Sequence, residues 1–195
     1  MGPQDWDERY REKPLLWSAG PNRFVEEILA GWEAGSALDV ACGEGRNAIW
    51  LASRGWDVTG VDFSAVALER AARMAQAADV TVTWIEADIL AWQPDRTFDL
   101  VLIAYVHLPP AERTTLMRKV ADWVAPAGHL LLVAHDVATA GVSGPSDPAL
   151  LWTPDLASDL VGPLEVVTAE RRERQLEEGG SALDTVLLAR RNPEG

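Results

Sequence analysis

The sequence predicts an α/β fold, in which a mostly parallel β-sheet carries helices on both faces. An apolar run breaks into the turn Gly43-Glu44-Gly45, which opens a helix over 47–54. A second apolar run, 58–61, follows that helix, and later apolar runs alternate with amphipathic segments. The chain closes with two runs, 164–175 and 182–189, that predict an antiparallel hairpin. Strands that alternate with helices are typical of a parallel sheet.

Two helices are predicted ahead of the first strand. In the polar stretch 4–13, Trp6 and Tyr10 share a helical face because they stand four residues apart. Pro21 occupies the position that favours a helix start and opens the second helix. Its apolar stripe consists of Phe24, Val25, Ile28, Leu29 and Trp32. The first strand follows at 37–40.

The middle of the chain alternates helices and strands. Ser64 is a favoured N-cap for a helix that ends near Ala77. Residues 80–85 alternate in the manner of a strand, and 98–104 is nearly continuous apolar sequence, as in a strand buried on both faces. A helix opened by two prolines follows over 110–126.

The last third contains one strand, one long loop and one helix before the hairpin. Gly128 precedes a strand over 129–134. Residues 135–152 form a loop rich in Gly, Ser, Pro and Asp, and loops of that length are usually functional or mobile. Thr153 is the predicted N-cap of a helix that ends near Val161.

Composition limits the classes of function. The 195 residues fit one domain, and 17 basic against 30 acidic residues give a net charge of −13, which disfavours a nucleic-acid substrate. The single cysteine, Cys42, suits a reducing compartment. We find neither an apolar run long enough to cross a bilayer nor a signal pattern. The expected location is the cytoplasm, with no membrane partner and no metal site.

The glycine turn and the carboxylate after the second strand predict a site for a nucleoside-bearing cofactor. Glycines let the backbone approach a ligand closely, and Asp62 offers acceptor oxygens to the two ribose hydroxyls. Glu44, between the glycines, would repel a pyrophosphate. The turn therefore favours a cofactor without phosphate and with a positive centre, such as S-adenosylmethionine (SAM).

With these residues the chain resembles the class I SAM-dependent methyltransferases, whose first motif reads D/E-x-G-x-G-x-G after the first strand. Asp39, Gly43 and Gly45 match it, whereas Ala41 replaces the first glycine. The resemblance implies a Rossmann-like methyltransferase fold with a seven-stranded sheet of order 3-2-1-4-5-7-6, strand 7 being antiparallel. It also implies one methyltransferase domain over 1–195, with SAM as methyl donor and S-adenosylhomocysteine as product.

The resemblance assigns further residues to the cofactor. Asp88 would accept from the adenine amino group and Ile89 would pack on the ring, although Asp88 could instead cap a turn. Asp39 could hold the glycine turn or reach the methionine amino group. The full predicted cofactor set is Trp17, Asp39, Ala41, Gly43, Gly45, Arg46, Asn47, Asp62, Phe63, Asp88, Ile89 and Ala104.

The acceptor is predicted to be a small molecule. Family members that methylate planar amino groups carry Asn or Asp after strand four, where this chain has Ala104. A thiol or other chalcogen, a hydroxyl or an amine remains as acceptor in a direct in-line transfer, which needs no nucleophile from the protein. His107 and His135 are candidate bases. Asp136 could orient His135, and Tyr105 is a candidate for the acceptor pocket.

Two short stretches of the chain resemble the small tellurite-resistance and thiopurine-type methyltransferases. The resemblance lies in Trp6-Asp7-x-x-Tyr10 and Gly45-Arg46-Asn47. It implies that residues 1–33 form a helical lid over SAM, the alternative being an ordinary docking helix.

Two other functions remain open, and so does the oligomeric state. A non-catalytic SAM-binding or interaction protein could keep this fold. An NAD(P)-dependent oxidoreductase is disfavoured, because the third glycine and a Tyr-x-x-x-Lys pair are missing. The chain is expected to be a monomer or a homodimer.

Overall fold

The computed structural model describes residues 3–12, 20–176 and 179–194. The chain forms two compact units, Met1–Pro94 and Asp95–Gly195. No helix among the described residues is both long and apolar enough to span a bilayer. The predicted single domain over 1–195 stays a prediction.

The first unit supplies the strand–turn–helix elements around the glycine turn. Its elements are α1 (Pro3–Glu12), α2 (Arg23–Leu29), β1 (Ser36–Val40), α3 (Arg46–Ser53), β2 (Asp57–Asp62), α4 (Ala65–Ala77) and β3 (Thr83–Glu86). Ser64 caps α4 as predicted, since its hydroxyl accepts the N–H of Ala67 at 3.1 Å. Helix α3 packs on β1 and β2, and α4 packs on β2 and β3. Both helices therefore begin next to the strand ends that hold the predicted cofactor residues.

The second unit contains the predicted terminal hairpin. Its elements are β4 (Phe98–Ala104), α5 (Pro110–Trp123), β5 (Val124–His135), α6 (Pro154–Leu160), β6 (Glu165–Gln175) and β7 (Ser181–Arg190), with two short 3-10 helices, Val137–Thr139 and Pro148–Leu150. Thr153 caps α6 as predicted, because its hydroxyl accepts from Leu156 at 3.1 Å. Helix α5 packs on β4 and β5, and α6 packs on β6 and β7.

The seven strands follow the order β3-β2-β1-β4-β5-β7-β6. Strands β1, β2 and β3 pair in parallel, as do β4 and β5. Strand β7 runs antiparallel to both β5 and β6. The predicted sheet order and the single reversed strand are confirmed.

Two element boundaries in the first unit differ from prediction by more than one residue. Helix α2 is capped by Asn22 rather than begun by Pro21, because the Asn22 side chain accepts the N–H groups of Phe24 and Val25. Strand β3 starts at Thr83 instead of Val80, since the Val80 N–H closes the end of α4 on the carbonyl of Ala75 at 3.0 Å.

Two boundaries also differ in the second unit. Helix α5 ends at Trp123, short of the predicted 126, because Pro126 disfavours helical backbone in the residue before it. Strand β5 therefore begins at Val124 and runs on through His135. The predicted loop over 135–152 holds both short 3-10 helices, of three residues each, and its first residue, His135, ends β5.

Candidate functional site

The turn after β1 contains three left-handed residues in alternate positions. Ala41, Gly43 and Gly45 have φ angles of +53°, +55° and +73°. A Cβ at Gly45 would overlap the Trp84 indole, so both the backbone angle and the packing require glycine there. Ala41 carries strain that the glycine of the family motif would avoid, about 1–2 kcal/mol for an L-residue.

Asp62 holds this turn against the end of β2. Its Oδ2 accepts the N–H of Gly43 at 2.8 Å, and its Oδ1 accepts the N–H of Ser64 at 2.9 Å. The side chain is buried, and burial raises the pKa of the carboxyl in spite of these bonds. A carboxylate at this strand end fits the predicted ribose contact, which stays a prediction.

Asp39 is a buried carboxylate with little hydrogen bonding. It is 1% exposed, and its Oδ2 accepts the N–H of Ala48 at 3.1 Å. Burial raises the pKa of Asp39 to about 7, while Ala48 and the nearby Arg46 act in the opposite direction. Such a group fits the positively charged end of SAM, because a cation would stabilise its ionised form.

The sequence predicts that the charge of Glu44 repels a pyrophosphate, but in the structure Glu44 forms an ion pair. Glu44 is buried, and its Oε1 lies 3.0 Å from the Arg70 guanidinium on α4. Because this ion pair neutralises the carboxylate, repulsion of a pyrophosphate is a weak criterion here. The features that favour SAM are instead the turn and its two aspartates.

The other predicted cofactor residues have varied surroundings. Asn47 is buried and its Oδ1 accepts the N–H of Asn22 at 2.8 Å, which ties α2 to the start of α3. Asp88 is exposed, and its Oδ1 accepts the N–H of Leu90 at 2.9 Å, as in a turn cap. Ile89 is buried, whereas Arg46, Phe63 and Ala104 are half-buried. Trp17 lies outside the described residues, and all these cofactor roles stay predictions.

Helix α1 is joined to the cap of α4. Ser64 lies two residues after Asp62, and its hydroxyl donates to Asp7 Oδ1 at 2.5 Å. On the same helix the Trp6 and Tyr10 rings lie 5.9 Å apart, and Tyr10 is buried. The amino-terminal helix is therefore docked beside the end of β2.

In the second unit, the three predicted acceptor-site residues form a stack of rings. The His135 ring lies 4.5 Å from Tyr105 and 5.0 Å from His107, measured between centroids. Tyr105 follows the last residue of β4 and has a φ of +59°. Left-handed backbone in a bulky residue stores strain and is commonest at functional sites.

Asp184 on β7 joins this stack, and sequence reasoning missed it. It is fully buried and accepts the Tyr105 hydroxyl at 2.7 Å and Arg174 Nε at 2.8 Å, while His135 Nδ1 lies 3.1 Å away. These partners outweigh burial and hold the pKa of Asp184 below its usual range. Asp184, Arg174 and the stacked rings thus form one hydrogen-bonded cluster.

The suggestion that Asp136 orients His135 is wrong. Asp136 Oδ2 accepts from Arg171 at 2.9 Å and from the Thr185 hydroxyl at 2.7 Å. Neighbouring residues of a strand point to opposite faces, so Asp136 faces away from the ring that precedes it. The one available signal for Asp184 is an acidic residue within the apolar run 182–189.

The segment after β5 covers one edge of His135. Gly144, with a φ of +79°, lies so close that a Cβ there would overlap the imidazole. Ser143 accepts from the Arg174 guanidinium at 3.1 Å. Further back, Thr139 and Leu183 exchange hydrogen bonds of 3.0 and 3.2 Å. Arg174 of this cluster and the neighbouring Leu183 therefore anchor the segment that covers this edge of His135.

Comparison with known proteins gives a consistent family. Residues 37–128 match the family described as a methyltransferase domain. The chain is 35% identical over 132 residues to the ubiquinone biosynthesis O-methyltransferase of Alkalilimnicola ehrlichii, an alignment covering 65% of this chain and 52% of that protein. The chain spans about half to three fifths of the length of the curated relatives it matches.

Solved structures share the fold. The N-methyltransferase NodS from Bradyrhizobium japonicum WM9, in complex with S-adenosylhomocysteine, gives a TM-score of 0.77 at 22% identity over 96% of this chain and 97% of that one. TehB from Haemophilus influenzae gives 0.74 at 17% identity, over 88% and 63%. At such identities the likeness shows the fold alone.

Proposed function

We propose that this chain, which belongs to the class I SAM-dependent methyltransferases, transfers a methyl group from SAM to a small-molecule acceptor. The observation that carries the proposal is the turn of three left-handed residues, of which Ala41 is strained, held between two buried carboxylates, Asp39 and Asp62. Burying these carboxylates costs stability, and such costs are commonest at functional sites.

The glycine turn, Asp39 and Asp62 would bind the cofactor, with Asp88 and Ile89 on its adenine. SAM would supply an electrophilic methyl group on a sulfonium centre. The protein would hold the acceptor in line with that group and exclude water, which needs no covalent intermediate with the enzyme. The acceptor would be a thiol or other chalcogen, a hydroxyl or an amine.

We also propose that one domain spans the chain, because the match to the methyltransferase family runs without a break across the boundary between the two units. Within the first unit, residues 1–33 would act as a cap over the cofactor. The hydrogen bond from Ser64 to Asp7 supports this, since it fixes α1 beside the end of β2.

Calorimetric titration with SAM, S-adenosylhomocysteine and NADH tests the cofactor. We expect micromolar binding of both adenosyl compounds and no heat from NADH. Asp62→Asn should weaken SAM binding at least tenfold, since it weakens both the acceptor for the ribose hydroxyls and the hydrogen bond from Gly43. Asp57→Asn, an exposed position at the start of the same strand, is the matched control and should bind normally. A folded protein that binds no SAM would overturn the proposal.

Removal of residues 1–17 tests the cap. We expect weaker SAM binding from a chain that still folds, as judged by circular dichroism. Unchanged affinity in the shortened protein would show that α1 is a docking helix without a role in cofactor binding. Release of S-adenosylhomocysteine with any small acceptor would exclude a purely non-catalytic SAM-binding protein.

A further inference from the structure

We propose that the second unit binds a small carboxylate at the guanidinium of Arg113, on α5. This site goes beyond the proposed function and does not depend on whether the chain binds SAM. The supporting observations are a buried positive charge without an acidic partner, and two N–H donors of that charge that bond to nothing in the described residues.

Arg113 differs from the other arginines in its surroundings. It is 6% exposed and is the one arginine that is buried among the described residues. Arg70 and Arg174 are only half-buried, yet each pairs with a buried carboxylate, of Glu44 and of Asp184 respectively. Arg113 forms no ion pair with the described acidic side chains, although the chain contains 30 acidic residues. A buried charge without a partner costs stability, so its presence needs a reason.

The local electrostatics disfavour a cation at this position. Burial lowers the pKa of Arg113, and no charged neighbour opposes that shift. Burial acts on Arg174 in the same direction, but the hydrogen bond to Asp184 outweighs it and raises the pKa. Arg113 also lies at the start of α5, near the positive end of the helix dipole. Glu112, the acidic residue of that turn, is exposed and does not pair with Arg113. An anion beside the guanidinium would relieve both penalties.

Three contacts fix the orientation of the guanidinium. Its Nη1 donates to the carbonyl oxygen of Leu151 at 3.0 Å and to that of Ala149 at 3.3 Å. The central carbon of the group lies over the Trp152 ring, 5.0 Å from the ring centroid. The plane and direction of the guanidinium are therefore set before a ligand arrives, which lowers the entropy cost of binding.

The opposite edge of the guanidinium carries the two unused donors. Arg113 Nε is buried and has no hydrogen-bond partner in the part of the chain that the structure describes. Nη2 likewise donates to none of these residues. In a planar guanidinium the N–H groups of Nε and Nη2 point the same way, and their spacing matches the two oxygens of a carboxylate. A water molecule could satisfy Nε but would bring no negative charge.

The surroundings limit the kind of ligand. Because Nε is covered, binding needs a small displacement of the Arg113 side chain or of the short 3-10 helix Pro148–Leu150 next to it. A slim molecule that leads with its carboxyl group fits such an opening. The net charge of −13 disfavours non-specific uptake of anions, so binding here would be specific to the site.

Side-chain ¹⁵N–¹H NMR of the arginines tests the site with acetate as probe. Acetamide, a neutral molecule of the same shape, is the control ligand. At neutral pH and constant ionic strength, we expect acetate to shift the Nε–H resonance of Arg113 to saturation. Acetamide should bind at least about tenfold more weakly, because it offers no charge-assisted pair of hydrogen bonds. The Nε–H of Arg118, exposed on the same helix, should not shift.

Two matched substitutions test the fork. Arg113→Lys keeps the charge but lacks the two parallel donors, so it should weaken acetate binding at least about tenfold. Arg118→Lys makes the same change at the exposed position and should leave acetate binding unchanged. Acetate should also raise the Tm of the wild-type protein more than that of Arg113→Lys, since only the wild type binds it well.

Four results would overturn the proposal. They are an Arg113 Nε–H that does not respond to acetate, as when a water molecule alone satisfies it, an equal response to acetate and acetamide, an equal shift at Arg118, and binding of inorganic phosphate without acetate. If Arg113→Lys does not fold, the wild-type titration still decides between these outcomes. None of the measurements uses SAM, so their failure leaves the proposed function standing. A chain that bound acetate but no SAM would refute the proposed function alone.

Discussion

The carboxyl of Asp39 offers a direct test of whether the cofactor turn is built for binding at the expense of stability. Replacing it with asparagine keeps an oxygen that can accept the N–H of Ala48. It removes the charge that burial disfavours. We expect the free energy of unfolding of Asp39→Asn, compared with wild type, to be higher at alkaline pH than at acidic pH. The same substitution should weaken SAM binding.

The size of the effect follows from the pKa. Burial raises the pKa of Asp39 from 3.8 to about 7, so between these values the folded protein binds a proton that the unfolded chain lacks. The free energy of unfolding therefore falls as pH rises across this interval. At about 1.4 kcal/mol per pH unit, the total is about 4 kcal/mol. That is a large share of the 5–15 kcal/mol typical of whole proteins.

Urea unfolding of both proteins at about pH 5 and about pH 8 measures the difference. The extra amide donor of asparagine shifts both values by a similar amount, so the change between the two pH values isolates the carboxyl. We expect the variant to gain about 2–3 kcal/mol relative to wild type between them, because only the two pH units from 5 to the raised pKa of about 7 contribute. A stability difference independent of pH would refute the argument from burial. Unchanged SAM affinity would refute a cofactor role for Asp39.

Three further substitutions test the turn and the cluster. Ala41→Gly should raise the free energy of unfolding by up to about 1 kcal/mol in urea, because it relieves left-handed strain; a loss would contradict this. Gly45→Ala should weaken SAM binding at least tenfold, as measured by calorimetry, because the added Cβ would overlap Trp84. Normal affinity in this variant would contradict the prediction. Asp184→Asn should cost about 3 kcal/mol at neutral pH, because it removes the buried charge that forms an ion pair with Arg174. Because the folded protein lowers the pKa of the Asp184 carboxyl, this loss of stability should persist until the pH falls below the ordinary pKa of an aspartate. Disappearance of the loss at a higher pH would contradict the prediction.

The predicted cofactor residues of the first unit could be found because they are close in sequence. Asp39, the glycine turn and the start of α3 are contiguous, and Asp62 follows one helix later. Their chemistry is local: positive φ angles require small residues, and the parallel strands place both carboxylates at one edge. What could not be predicted was the pairing of Glu44 with Arg70, which depends on how α4 packs.

The ring cluster of the second unit was only partly predictable, because its members come from four separate segments. The stack of Tyr105, His107 and His135 follows from two histidines and a tyrosine at the ends of neighbouring strands. Asp184 and Arg174 belong to the terminal hairpin, and only the register of that hairpin brings them to the same place. Sequence pattern predicted the hairpin but contained no information on this register.

The contrast between Asp136 and Asp184 shows which physical rule was missing. Both are fully buried, and each accepts from an arginine and a hydroxyl group. Asp136 is adjacent to His135 in sequence, yet a strand turns successive side chains to opposite faces. Asp184 is far away in sequence but pairs directly with His135 in the antiparallel register, which puts both side chains on one face. Proximity to a candidate base should therefore be judged by strand register and not by position in the chain, and by that criterion Asp184, whose Oδ1 lies 3.1 Å from His135 Nδ1, is the carboxylate that contacts His135.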